Sequence, residues 1–305
     1  MGVHVDTGIG KANSVASLAF TDVEDLAAAV SDANIKFLPI ESGPCDARMT
    51  MININGLRMQ RASIPPHSSF GAVNADRVAL LMTLAQPCEP TLNGHGINRS
   101  DLMILGPGTE LHGVCRRQES WATISFDAGD FHALMEDLGM SRIPSGMHHI
   151  LQPQAAELMT LSNGVAAAAD LIDSVPQLIE STGFASGLAD ALMDNLYRVL
   201  TSAAGRGDPQ RLDNNNLRIV RAADAFMHAH IATPLYTADL CKAVGVSSRR
   251  LRAAFEAACG ISPHAYLKSR RLHLVRSALR EHVATPRLVK SVALDHGFWH
   301  MSNFA

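Results

Sequence analysis

The chain has 305 residues, 47% of them hydrophobic and 18% charged, a composition that excludes a disordered or low-complexity protein and is long enough for two domains with separate cores. Its formal net charge of −3 hides an asymmetry: from Arg211 onward there are 14 Lys+Arg against 6 Asp+Glu, a net +8, and before it 12 against 23, a net −11. A basic C-terminal third on an acidic body is the pattern expected when only that third meets a polyanion.

Residues 1–22 carry Asp6 and Lys11 and no long apolar core, so no secretory signal is read there. The longest strongly apolar run, residues 78–85, is too short to span a bilayer. Cys45, Cys88, Cys115, Cys241 and Cys259 are odd in number and form no C-x-x-C pair, which fits a reducing cytoplasm; a thiol sensor built on Cys88 or Cys115 lacks an evident cationic partner. The expectation is a soluble cytoplasmic protein with no membrane partner.

Residues 20–33 read as a leading helix or loose segment. The period then changes. Met49, Met51 and Asn53 alternate with Thr50, Ile52 and Ile54, Asn55-Gly56 follows, and alternation resumes from Leu57, which is a hairpin pattern. Strand-like runs at 77–85, 102–105 and 121–126, punctuated by Asn93-Gly94 and Gly106-Pro107-Gly108, predict a small sandwich or barrel. Inward histidines of such a barrel can ligate a metal, and His67, His95 and His112 are the candidates. None sits in an H-x-H or H-x-E pair, and the tandem His148-His149 diverges on any regular element, so no metal is assigned. The chain also shows no G-x-S-x-G elbow, no phosphate-cradling glycine loop and no Cys beside a sequence-local His, so neither an enzyme nor a cofactor is expected. Arg48, Arg58 or Arg61 can pair with an acidic effector, or lie on the surface, and Trp121 can line an apolar pocket.

From Gln152 the period is helical. Leu158, Leu161, Val165 and Leu171-Ile172 mark one helix; Pro176 interrupts, and Phe184, Leu188, Leu192, Leu196, Val199 and Leu200 mark a second. That stripe serves packing on the body, a helix pair across a dimer, or both. Apolar periodicity is lost over residues 203–216, which places a boundary: residues 1–203 as a sensing and dimerisation domain, 204–216 as linker and 217–305 as a further domain.

In that last part, residues 237–255, TADLCKAVGVSSRRLRAAF, read as two short helices and a turn. Leu240 and Val244 form an apolar i, i+4 pair, Gly245 tolerates positive φ, and Ser247 or Ser248 caps a second helix. That helix turns Leu251 and Phe255 inward and carries Arg249, Arg250 and Arg252 elsewhere, a rod suited to the major groove. Gly260 suits a C-cap, Ser262 and Pro263 open a long helix, and an approximate repeat begins at Leu288, with Val292, Ala293, Gly297 and Phe298 in the corresponding places. Two such units joined by one helix can enter successive major grooves about 34 Å apart.

The run R-L-x-x-V-R-x-x-L at 271–279, the junction Gly260-Ile261-Ser262-Pro263, and Gly297-Phe298-Trp299-His300 with Phe304-Ala305 resemble the double helix-turn-helix domain of AraC/XylS-type transcription regulators over residues 217–305. The resemblance implies an α+β N-terminal domain, a cupin-like β-barrel plus helices, followed by an all-α DNA-binding domain. It implies recognition by Arg249, Arg252 and Ala253 in the first unit and His300, Ser302 and Asn303 in the second, with Ser247 and Ser248 capping and touching phosphate. Arg250 is either a further contact or a solvated cation, and His300 either reads a base or caps its helix. The implied protein is a ligand-responsive activator, a homodimer whose partners are double-stranded promoter DNA, a small-molecule effector and RNA polymerase. Two departures stand out: Val275 replaces the family's usual Ala, and the sequence stops at Ala305 inside the second recognition helix. A truncated sensor or dimerisation module without specific DNA binding, and a cupin-type metal enzyme with a DNA-binding tail, are the competing readings.

Overall fold

A computed structural model describes residues 13–40, 45–84, 90–204, 215–281 and 289–299. In chain order they form β1 (Ser14–Phe20), α1 (Val23–Ala29), β2 (Ala33–Pro39), β3 (Ala47–Ile54), β4 (Leu57–Ile64), β5 (His67–Val73), β6 (Arg77–Thr83), β7 (Thr91–Leu92), β8 (His95–Gly96), β9 (Leu102–Leu105), β10 (Glu110–Cys115), β11 (Glu119–Asp127), α2 (Ala128–Asp137) and β12 (His148–Leu151). Helices follow: α3 (Ala155–Ser174), a 3-10 turn (Pro176–Glu180), α4 (Thr182–Ala203), α5 (Asn215–Ala229), α6 (Thr237–Val244), α7 (Ser248–Cys259), α8 (Pro263–Glu281) and α9 (Val289–Asp295).

The strands make two antiparallel sheets, one in the order β1-β3-β4-β11-β6-β9-β12 and one in the order β2-β5-β10-β7-β8. Among the described residues no strand pairing joins them into a closed ring, so the expected barrel is a two-sheet body, and the α+β then all-α plan stands. The hairpin turns where the sequence places it: Asn55 and Gly56 both have positive φ (51° and 87°), and Ile54 pairs with Leu57 and Ile52 with Met59. The outer face of the larger sheet, with Ile52, Leu80, Met82 and Ile124, buries against Leu161, Val165 and Ile172 of α3 and Leu192, Leu196 and Val199 of α4. The helical stripes therefore serve the body's own core, while Met159, Leu171 and Tyr197 on the same two helices remain exposed.

The segment 20–33 is neither one helix nor a loose stretch. It holds the seven-residue α1, capped by Asp22, whose carboxylate accepts from Glu24 N (2.8 Å), and it links two strands absent from the sequence reading, β1 and β2. Strands β5, HSSFGAV, and β10, ELHGVC, were also not legible, because Ser, Gly and His occupy positions where a half-buried strand ordinarily shows β-branched residues. They lie at the centre of the smaller sheet, where Gly113 is backed by Ser69 of the neighbouring strand, whose Oγ would lie 2.4 Å from an added Cβ.

Helices α5 to α8 share a second core of Leu217, Val220, Ala223, Met227, Leu240, Leu251, Phe255, Tyr266 and Leu267. Leu38 of β2 joins that cluster, so the helical region is docked on the smaller sheet. A separate small cluster unites Val275 of α8 with Val292, Ala293 and Phe298; the larger Val275 side chain is only 2% exposed and is absorbed there without leaving α8.

Candidate nucleic-acid interface

The first helix-turn-helix unit is built as its sequence predicts. α6 is capped by Gly245 in the left-handed conformation (φ 72°, ψ 35°), and α7 is capped at its start by Ser247, whose Oγ accepts from Arg250 N (3.3 Å). Leu251 and Phe255 are fully buried, with the Phe255 ring edge-on to Tyr266 of α8 at 5.3 Å between centroids. The opposite face carries Ser248, Arg249, Arg252 and Ala253, all exposed, with Arg250 half-buried beside them. Arg252 forms an i, i+4 pair with Glu256 (3.3 Å) on the surface; among the described residues neither Arg249 nor Arg250 has a carboxylate partner. A helix N-terminus edged by two exposed serines, with the cationic forks of Arg249 in its first turn and Arg252 one turn on, offers phosphate and base-edge donors together.

The second unit is described through α9, the turn at Gly297 (φ 86°) and the half-exposed Trp299. His300, Ser302 and Asn303, which the sequence assigns to recognition, lie outside the described residues. Pro234, Tyr236, Lys268, Arg271 and Trp299 border a groove between the units, and Arg271 is held there by donating to the carbonyls of Ile231 (3.0 Å) and Thr233 (2.6 Å).

The basic residues of α8 behave otherwise. Arg270 lies 5.0 Å from the centroid of the Phe70 ring of β5 and 3.3 Å from Asp224, which also accepts from the Tyr266 hydroxyl (3.0 Å). Arg276 pairs with Asp22 at the start of α1, and His273 lies 3.3 Å from Glu24. On the other flank Arg221 of α5 pairs with Glu110 of β10, and Arg116 donates to the Gly260 carbonyl (2.8 Å). Gly260 itself (φ 68°) fits there for want of a side chain: a Cβ would lie 2.5 Å from Val114 Cγ1. Neither this docking surface nor its residues were legible in the sequence, since each polar contact between the helical region and the sheets joins positions more than 100 residues apart.

Behind the dock, between the two sheets, lies a cavity of about 100 Å³. Apolar side chains including Ile35, Phe37, Leu81, Leu111, Val114 and Trp121 line most of it, which bears out the placement of Trp121 in a pocket. Among the described residues its polar groups are His67, Glu119, Asp32, Gln60, Ser69 and two threonines, with no Lys or Arg. Asp32 is committed to Arg58 (2.8 Å), Arg77 (3.2 Å) and Ser125 (2.5 Å). Of the arginines weighed as clamps for an acidic effector, Arg58 is thus engaged by Asp32 and Arg61 by Asp170, while Arg48 points to solvent. Burial pushes the Glu119 carboxyl up to about 7 and the His67 imidazole down to about 4, so both are uncharged between those values although Nε2 and Oε2 stand 3.8 Å apart.

Of the other candidate ligands, His112 is buried on β10 and His95 is half-buried on β8; among the described residues no three His, Cys, Asp or Glu side chains converge as a metal set. Cys115 is disulfide-bonded and so offers no sensing thiol, whereas Cys45, Cys241 and Cys259 are free.

Residues 240–305 match the model of the helix-turn-helix domain family HTH_18. A transcriptional activator of the XylDLEGF operon from Pseudomonas putida is 28% identical over 159 residues, 52% of this chain and 46% of that protein. A probable thc operon regulatory protein from Rhodococcus erythropolis is 34% identical over 87 residues, covering 28% of this chain and 26% of that one. The family match covers the C-terminal helix-turn-helix region of the chain. The chain spans about half the length of the P. putida relative that it matches. Among solved structures, the AraC-like transcriptional activator CuxR aligns with 92% of this chain and 100% of its own at a TM-score of 0.45 and 14% identity, and ToxT from Vibrio cholerae with 97% and 92% at 0.28 and 12%. Among the described residues no helix is long and apolar enough to cross a membrane.

Proposed function

We propose that the chain is a sequence-specific, double-stranded-DNA-binding transcription regulator that activates in response to a small-molecule effector. The observation that carries this reading is the division of α7 into a fully buried side, Leu251 and Phe255, and an exposed side of Arg249, Arg252 and Ala253 that begins at a serine-capped N-terminus. Arg249 and Arg252 read base edges or phosphates, Ser247 and Ser248 meet the backbone, and Ala253 leaves room for close approach to the groove. His300, Ser302 and Asn303 take the corresponding part in the second unit.

Responsiveness is supported by β10. Leu111, Gly113 and Val114 border the cavity, while Val114 also abuts Gly260 at the end of α7 and Glu110 holds Arg221 of α5. An effector that fits the cavity better in one disposition of β10 than in another shifts the helical region by that difference in affinity. Dimerisation through the outer face of α3 and α4, where Met159 and Tyr197 are exposed, and contact with RNA polymerase complete the reading.

Selection of bound duplexes from a random pool by the full chain tests it. The expected result is enrichment of a defined site, with sub-sites one helical turn apart if both units read DNA. Enrichment of no sequence, or an unchanged site after Arg249→Ala and Arg252→Ala together, overturns it.

A further inference from the structure

The cavity has an uneven chemistry that bears on what fills it. Glu119, on β11, is among the most deeply buried carboxyls of the body, with 12% side-chain exposure, and it lines the cavity without a hydrogen-bond partner among the described residues. Facing it is His67 of β5, 4% exposed. Its Nδ1 lies 2.9 Å from the Pro65 carbonyl, which can only accept, so the ring proton sits on Nδ1 and Nε2 offers a lone pair to the cavity. The two strands thus bring an acceptor, Nε2, and a carboxyl to within 3.8 Å of each other, too far for a mutual hydrogen bond. A single oxygen set about 2.8 Å from each satisfies both.

Among the described residues no cation lines the cavity for an anionic guest. The lining contains no Lys or Arg, and Asp32, its remaining acid, is already satisfied by Arg58, Arg77 and Ser125. A carboxylate entering here would lose its hydration with no cation in the described lining to offset the loss, whereas a neutral hydroxyl gives up far less. Volume narrows the choice further: dry cavities of about 150 Å³ hold benzene, and this one is about 100 Å³, so a single six-membered ring is the upper bound and enters only as the walls yield slightly. The apolar walls, with Phe37 and Trp121, take the hydrocarbon part.

We propose that the cavity binds a compact uncharged alcohol of the phenol class, whose hydroxyl donates to His67 Nε2 and accepts from the protonated carboxyl of Glu119. As the effector of the regulator, this guest rests on the reading given under the proposed function; as a ligand of the body, it does not. Glu119 being held up to about 7 and His67 down to about 4 agrees with the donor and acceptor roles assigned, since each must be neutral to play them.

Calorimetric titration of the full chain at pH 6 without DNA, using phenol, toluene and benzoate as probes, separates the possibilities. Phenol is expected to bind at least tenfold more tightly than either of the others. Glu119→Leu is expected to bring phenol to within about threefold of toluene while toluene binding persists, and Glu119→Gln, which retains a donor of nearly the same shape, is expected to keep the preference. Should Glu119→Leu fail to fold, the order of the three probes on the unaltered chain and the Glu119→Gln result still decide. Benzoate binding as tightly as phenol, toluene matching phenol, loss of the preference in Glu119→Gln, or no binding by any probe overturns the proposal. None of these outcomes depends on DNA binding, so failure here is distinct from failure of the duplex selection.

Discussion

The outer face of α7 and the inner wall of the two-sheet body treat ionisable side chains in opposite ways. On α7, Arg249 and Arg252 stand in water, permanently charged and able to displace counterions from a nucleic acid. In the cavity wall, burial holds His67 and Glu119 uncharged between about pH 4 and 7 and leaves a directional donor and acceptor. Between these limits lie Arg270 and Arg276 of α8, cationic but committed to Asp224, Phe70 and Asp22. The same residue types do three kinds of work, and solvent access with the nearest partner decides which. A count of arginines in the basic third would have assigned all of them to DNA.

The sharpest contrast is open to titration. The Glu119 carboxyl has a folded value of about 7 against an ordinary 4.5. Its contribution to stability is therefore complete below about 4.5, declines as the unfolded chain alone ionises, and is lost once pH rises through 7. Across that window the wild type should lose about 3 kcal/mol relative to Glu119→Gln, whose amide does not titrate. His67 runs the other way: its folded value near 4 is below the ordinary 6.5, so its contribution holds above 6.5 and is lost as pH falls through 4. Because His67 is present in both proteins, its effect cancels in the difference. Urea unfolding of both proteins at pH 5 and pH 8 measures the change; parallel stabilities would mean that Glu119 is as well solvated as α7 is, and the contrast would vanish.

On the solvent side, Arg249→Ala should cost about 1–3 kcal/mol of DNA affinity, roughly ten- to a hundredfold, if Arg249 reads a base. Two signatures separate base reading from phosphate contact. Loss confined to one position of the selected site marks a base contact; a uniform loss with the salt slope reduced by about 1 marks a phosphate contact. Electrophoretic mobility shifts at several salt concentrations read both. No loss at all would place Arg249 with the solvated cations of an ordinary helical hairpin.

How much of this was legible in the sequence follows from the separation of the residues involved. The α7 face was readable because cap, core and cation lie within nine residues, Ser247 to Phe255, and helical spacing alone sorts them into sides. The hairpin at Asn55-Gly56 was readable for the same local reason. The cavity was not: His67 and Glu119 meet only because β5 and β11 lie in facing sheets, and β5 with its serines and glycine gave no strand signal. His67 was weighed as a metal ligand because inward histidines in a barrel suggest one, and its actual neighbour, a lone acid 52 positions on, has no motif to announce it. Arg58 and Arg61 were weighed as clamps for an acid because their partners, Asp32 and Asp170, approach through tertiary packing.

The smallest expected effect falls on the intermediate class and tests whether that class is real. Arg276 pairs with Asp22 while its own side chain is 48% exposed, so solvent screens much of the attraction and Arg276→Ala should lower stability by about 0–1 kcal/mol. Asp22 has a second task, since its Oδ1 also accepts from Glu24 N at the head of α1. Asp22→Asn removes the charge and keeps a good capping residue, whereas Asp22→Ala removes both, so the alanine variant should be the less stable by about 1 kcal/mol. In the duplex selection Arg276→Ala should return the wild-type site. If it instead altered base preference, Arg276 would have to leave Asp22 in the DNA-bound state, and the arginines of α7 and α8 would form one reading surface rather than two.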